Sequence, residues 1–349
     1  MASALRATVL SIMAVTLGAC GHGGGGGGGS GTPTQIPPAP APNQTPAPNQ
    51  TPANQTPANQ TPAPDQNAQQ QNTPPDNAPR TDVTFSSFAA VEPSQNVRVF
   101  GEDRSINGTQ LSDGTVRPIT INSGERDATL TLGFDSKRSL AAVAVRDFTD
   151  DVAFDRSKGH SISCSGGTCT ASSQTASAVV ADAFANGWNY QTYGVWTTQS
   201  NPTSVAFGAV SAGVPTPGNA VPTTGLASFS GRASGYYIDP AGATFNTDAT
   251  LTANVDFQQR FIAFNTGNTT LVNTGTGAKS ANTGLNMTGT LNWDAGFNRF
   301  SGSVQTANDN LSGSASGKFY GPKAEEIGGT YNLVSGPTSR MIGGFGGKR

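Results

Sequence analysis

Charge is what this chain has least of. Only 12% of its 349 residues are Asp, Glu, Lys or Arg, about half the share of an ordinary soluble domain. The net charge is -2. No basic stripe of the kind a polynucleotide needs can be built from this, which excludes nucleic acid as a partner. Metal-binding side chains are as scarce: His22 and His160, with Cys20, Cys164 and Cys169. A structural zinc takes about four such ligands, and His22 falls in a glycine run, so neither a metal nor another cofactor is expected. Catalysis lacks its parts too. In Gly231-Arg232-Ala233-Ser234-Gly235 the serine comes one place too late for a nucleophile elbow. Before Lys279-Ser280, Asn273 and Ala278 stand where a phosphate loop needs glycine. His160, alone in the folded part, reads as a solvated loop residue. With no nucleophile and base, no acid–base pair and no metal set, no catalytic residue is expected and the chain reads as a non-enzyme. Long apolar runs are missing as well. The stretch at 9–17 is far shorter than the ~20 residues needed to span a bilayer as a helix.

What is present has a clear order. Arg6, the apolar stretch 9–17 and the small residues Gly18 and Ala19 lead into Leu17-Gly18-Ala19-Cys20. This resembles a bacterial lipobox, which implies a signal peptide over 1–19, removal of it, and lipid on Cys20. The expected location is the bacterial outer membrane, with the protein lipid-anchored and exposed on the cell surface. Residues 20–80 then read as a tether. Glycines run from Gly23 to Gly29, followed by repeats of Thr-Pro-Ala-Pro-Asn-Gln and Thr-Pro-Ala-Asn-Gln. Such a tract cannot bury a core and stays disordered. Its proline-rich part favours an extended form at ~3.1 Å per residue. The Asn-Gln-Thr triplets at Asn43, Asn49, Asn54 and Asn59 match a glycosylation pattern, but read as by-products of the repeat. Cys164 and Cys169, separated by four residues that include Gly166 and Gly167, are expected to close a disulfide loop in an oxidising compartment. A metal site or free thiols are the alternatives.

From Thr81 strand patterns begin. Residues 81–222 read as a β-rich handle domain, with a hairpin over 128–134 and 140–145, a short helix at 176–185 and an aromatic strand at 188–196. Residues 223–349 are clearer. Ala227, Phe229, Gly231, Ala233, Gly235 and Tyr237 share one face of a strand. Leu251, Ala253 and Val255 alternate with Thr252 and Asn254, and Leu285, Met287, Leu291 and Trp293 repeat the pattern. Period-2 segments of this kind, divided by Asn, Asp and Gly turns, predict an antiparallel meander with one buried face. Glycine and alanine mixed with Phe, Trp and Tyr on that face fit a small closed barrel of about eight strands. A lipid-facing barrel would instead carry an outward apolar band, and here the second face is Ser, Thr, Asn and Asp.

Residues 316–333 hold Gly317, Phe319, Tyr320, Gly321, Pro322, Ala324, Glu325, Glu326, Gly328 and Gly329. This order resembles the signature of the transferrin-binding protein B barrel domain, Gly-x-Phe-Tyr-Gly-Pro followed by Ala-Glu-Glu and Gly-Gly. Residues 190–196 and 214–225 resemble the smaller single-lobe relatives. The resemblance implies an all-β lobe, an eight-stranded antiparallel barrel preceded by a β-rich handle, on a lipidated tether. It further implies capture of a host iron- or haem-carrying protein or another solute, and transfer to an outer-membrane receptor or translocator. The chain departs from the transferrin binders in showing one lobe where they have two. Turn chemistry alone also explains the signature: proline and glycine end one strand and open the next. The residues are therefore expected to be structural, and the resemblance carries over no ligand-contact residue. Loops 266–284 and 294–298 are the candidates for binding. An envelope or adhesion lipoprotein with no soluble ligand is the alternative reading.

Overall fold

The computed structural model describes residues 80–146, 151–308 and 310–349. The expected signal peptide, Cys20 and the expected tether as far as residue 79 lie outside them. Almost everything described is strand.

The handle is one ten-stranded sheet. Its strands are β1 (Thr81–Thr84), β2 (Gln95–Gln110), β3 (Val116–Phe134), β4 (Leu140–Arg146), β5 (Asp151–Asp155), β6 (Ser161–Ser165), β7 (Thr168–Ser172), β8 (Ala176–Ala181), β9 (Gln191–Asn201) and β10 (Ser204–Gly213). The order is β5-β4-β3-β2-β10-β9-β8-β7-β6, with β1 running parallel to the start of β2. The sheet curls nearly shut, yet no ladder joins its edge strands β5 and β6. Phe88, Leu130, Phe154, Trp188 and Trp196 fill its concave side. The expected hairpin is β3–β4. The helix expected at 176–185 is instead β8 followed by a turn. Val179 and Val180 favour strand, and β8 is paired on both sides, to β7 and β9. Ala178 and Val180 lie in the handle core and Val179 packs against the seam cluster, so both faces are covered and the spacing shows no clean alternation. The aromatic strand begins at Gln191, with Trp188 in the loop before it.

The barrel follows with β11 (Leu226–Ile238), β12 (Thr244–Asp256), β13 (Phe261–Asn273), the short β14 (Lys279–Ala281), β15 (Met287–Trp293), β16 (Arg299–Thr306), β17 (Ser312–Tyr320), β18 (Glu326–Ser335) and β19 (Ser339–Lys348). Every neighbour is antiparallel, and the β12–β13 ladder closes the ring of eight. The predicted inner face is the inner face. Phe229, Phe264, Phe300, Phe319 and Phe345 are fully buried there. Outward positions such as Thr250, Thr252 and Asn254 are exposed and polar, the reverse of a lipid-facing band. No helix among the described residues is long and apolar enough to cross a membrane.

One side of the barrel breaks the one-face rule. Strands β18 and β19 are buried nearly throughout, because β9 and β10 of the handle lie across them. The seam has its own apolar cluster, with Ile106, Val195 and Phe207 from the handle meeting Tyr236, Ile238 and Ile342 from the barrel. Glycine makes the approach possible. A Cβ on Gly344 would sit 2.8 Å from the Tyr193 ring, and one on Gly346 2.5 Å from the Gln191 amide.

Candidate ligand-binding surface

The signature residues serve this seam. Phe319 points into the barrel floor, where its ring meets Phe229, Phe257, Trp293 and Phe300 at 5.1 to 6.1 Å. Tyr320 points the other way, its hydroxyl 3.1 Å from that of Ser211 in the handle. Burial pushes the Tyr320 phenol far above its usual range, so it stays neutral. Gly321 turns the chain at φ 87°. Across that turn the Thr216 hydroxyl donates to the Gly321 carbonyl at 2.6 Å and accepts from the Ala324 N–H at 3.2 Å. Glu325 accepts from the Lys323 N–H at 2.8 Å. Glu326, buried, accepts from three consecutive backbone N–H groups of the handle: Asn189, Tyr190 at 2.9 Å and Gln191 at 3.0 Å. Burial raises its carboxyl pKa, and those three donors and Lys348 only partly oppose the rise. Gly328 packs under Gln191 and Ser211, where a Cβ would fall 2.8 Å from the Gln191 side chain. Gly317 and Gly329 face each other across the β17–β18 ladder. Pro322 ends the strand. These residues weld the two sheets together, and little of them is left for a ligand to touch.

A second weld is ionic. The β2–β3 ladder skips between Asp103/Arg126 and Ser105/Asn122, and this bulge carries Glu125 toward the barrel, as bulges re-aim side chains. Glu125 meets Arg104 at 3.3 Å and Arg299, and accepts from Ser316. Glu102 meets Lys318 at 2.9 Å and also Arg299. Partial burial works against the charge on Arg299, but Glu125 and Glu102 outweigh it and hold the guanidinium pKa above its usual value. Sequence reasoning missed this network. Its members lie up to 216 positions apart, Glu102 to Lys318, and only a local clustering of charge near 102–104 and 125–127, in a chain so poor in charge, could have hinted at it.

The two ends of the lobe differ. At the far end the handle turn 111–115 meets the barrel turn 239–243, and the turns 173–175, 201–203, 274–278 and 336–338 lie at the same end. Val116 N–H donates to Gly242 O at 2.8 Å across the two sheets, while within each sheet Gln110 N–H donates to Thr203 O and Thr274 N–H to Thr244 O, both at 3.0 Å. The polar side chains of these turns are folded back on the backbone. Asn273 accepts from the N–H groups of Gly275 and Thr276. Asp113 accepts from the hydroxyl and N–H of Thr115, which lowers its carboxyl pKa. The near end is where the chain enters, at a buried Arg80 paired to Asp155 at 3.4 Å. Large apolar side chains are exposed in this half: Leu226 at 81%, Phe297 at 66% and Phe261 at 37%, with Phe100 on the handle. Leu226, Asp256, Phe261 and Asn292 are successive ladder partners across β11, β12, β13 and β15. Leu226 and Phe261 line one shallow depression with Ala227, Val255 and Ala263. Phe297 stands in the next turn along the rim.

The two candidate loops therefore do not act together. Most of 266–284 is β13 and β14, and its one turn, 274–278, lies at the far end. Loop 294–298 lies at the near end. There Asn298 is structural, donating to the carbonyls of Thr216 and Phe319 and accepting from the Phe319 N–H, while Phe297 remains free to bind.

The remaining candidates are settled by their partners. Cys164 and Cys169 form a disulfide at directly paired positions of β6 and β7. With Asp182 they make a compact metal-like trio, but sulfurs bonded to each other offer no thiolate. His160 is not a solvated loop residue. Its Nδ1 accepts from the Asp155 N–H at 3.0 Å, and its ring lies edge-on to Phe154.

Residues 221–349 match the family described as the C-lobe and N-lobe beta barrels of Tf-binding protein B. Among curated proteins none matches. Several solved structures are similar to the chain. Transferrin-binding protein B (isotype 1) from serogroup B Neisseria meningitidis is 18% identical, with 71% of this chain and 43% of that one covered and a TM-score of 0.39. A surface lipoprotein is 13% identical over 70% of this chain and 98% of its own, at 0.38. The N-lobe of lactoferrin-binding protein B from Moraxella bovis is 12% identical over 72% and 98%, at 0.33. The chain thus spans less than half the length of the meningococcal protein.

Proposed function

We propose that this chain, whose residues 221–349 form a barrel domain of the Tf-binding protein B type, is a lipoprotein of the bacterial outer membrane that captures a protein ligand at the cell surface. Cys20 carries the lipid and residues 20–80 set the reach. The ligand class is a host iron- or haem-carrying protein, passed on to a receptor in the same membrane. The observation that carries the reading is the near-end rim of Leu226, Phe261 and Phe297. Large exposed apolar side chains grouped on an otherwise Ser/Thr/Asn surface mark a protein contact, and aromatic anchors supply most of the energy of such contacts. A barrel that served only as a spacer has no need of them.

The test uses the full chain with Cys20→Ala, which should leave the membrane for the soluble fraction. Host fluids are passed over the immobilised protein, and bound proteins are identified and titrated. Saturable retention of an iron or haem carrier is expected, weakened at least tenfold by Leu226→Ser with Phe297→Ser. Both positions are exposed, so folding is spared. Equal binding by that double variant would sink the rim assignment. Absence of any saturable partner would sink the capture reading and leave the adhesive one.

A further inference from the structure

The handle contains a cavity of about 310 Å³ near the loop that follows β8, away from the rim. It is at the small end of the ~300–1,000 Å³ typical of ligand pockets. Its walls are Phe88, Leu132, Phe134, Val180 and Phe184, with the Cys164–Cys169 disulfide alongside. At the mouth are Lys137 and Arg138, in the β3–β4 turn, and Asp182.

The two cations are placed unusually. Arg138 sits at φ 59°, in the left-handed region that glycine or asparagine would occupy at lower strain. Its guanidinium lies 4.7 Å over the Phe184 ring and donates to the Phe88 carbonyl at 3.3 Å. Its Nε is buried with no acceptor, a cost that native structures rarely leave unmet. Lys137 makes no ion pair among the described residues. The acidic neighbours are otherwise engaged. Asp135 accepts from the N–H groups of Lys137 and Ser139 and pairs with Arg156 at 3.3 Å, and Asp182 accepts from the Ala185 N–H at 3.2 Å. The mouth is thus net positive over an apolar hole, with one donor aimed at nothing.

We propose that this cavity binds a small apolar acid: the hydrocarbon or aromatic body lies among Phe88, Leu132 and Phe134, and the carboxylate accepts from Arg138 Nε beside Lys137. Strain retained at a non-glycine turn residue is then explained by a binding role. Bidentate and charge-assisted contacts of arginine with a carboxylate are the strong kind.

The test takes the full chain with Cys20→Ala, free of detergent, and measures the thermal midpoint against decanoate, decanol and decylamine. Decanoate should raise the midpoint saturably, as a ligand of the folded state does, and decylamine should not. Arg138→Gly is the informative variant, since glycine suits this φ and the hairpin should keep its stability. It should weaken decanoate roughly tenfold or more, the loss expected for a charged hydrogen bond. Ala183→Leu, which fills the cavity, should abolish the shift. The proposal is overturned if decanoate gives no shift, if decylamine matches it, or if Arg138→Gly binds as well as the parent.

Discussion

The handle and the barrel solve one problem in two ways. Both curl a sheet around an apolar interior, but the barrel closes its ladder through β12 and β13 while the handle stops one pairing short, at β5 and β6. The closed ring is held from within, with Phe319 at the centre of four other rings. The open one is fastened by particular bonds: the disulfide between β6 and β7, the buried Arg80–Asp155 pair and Asp103 with Arg126. Closure removes edges and with them the need for fasteners. It also removes room. The handle, left ajar, has a cavity lined by its core side chains.

The comparison is broken most sharply at Phe319. Phe319→Ala should destabilise the lobe by about 3–5 kcal/mol, the cost of emptying such a site, read as a fall in the midpoint of chemical unfolding. A loss below ~1 kcal/mol would mean that the barrel does not depend on its floor. Next is the disulfide. Cys164→Ser with Cys169→Ser should cost about 2 kcal/mol on loop-length grounds. Amide exchange should rise in β6 to β8 and stay unchanged in β15 to β17. Exchange rising equally in both sheets would show that they melt as one body.

The smallest effect concerns the seam, and it depends on pH. Burial raises the Glu326 carboxyl pKa above its value in the unfolded chain. Its favourable contribution is therefore complete below the ordinary glutamate range of ~4.3 and is lost as pH rises through the raised folded value. Wild type should accordingly lose a little stability across that interval, and Glu326→Gln should flatten the slope while keeping an acceptor for part of the handle backbone. Parallel profiles for the two proteins would deny Glu326 the role.

How much of this could be read in the sequence follows the same division. The barrel was legible because most of its strands have one wet face, so Thr250, Thr252 and Asn254 alternate visibly with Leu251, Ala253 and Val255. The β8 strand was misread because both its faces are covered. The signature reads as turn chemistry in the sequence, but the seam it faces in the structure was hidden. Nothing beside Glu326 in sequence says that its carboxylate will meet N–H groups 135 to 137 residues away. Phe297 could be seen in a candidate loop; Leu226 and Phe261 could not, because only strand pairing brings them to one rim.

Strand β19 pairs with β18 on one side and with β11 on the other. The first and last long strands of the barrel are thus neighbours, and no subset of earlier strands can form the ring. Until β19 arrives, the Tyr236 and Ile238 stripe and the open edge of β11 stay bare, a state prone to wrong pairing. Such long-range closure is slow in proportion to the span of chain it must gather. In time rather than in space, this makes the barrel a latch that is thrown last.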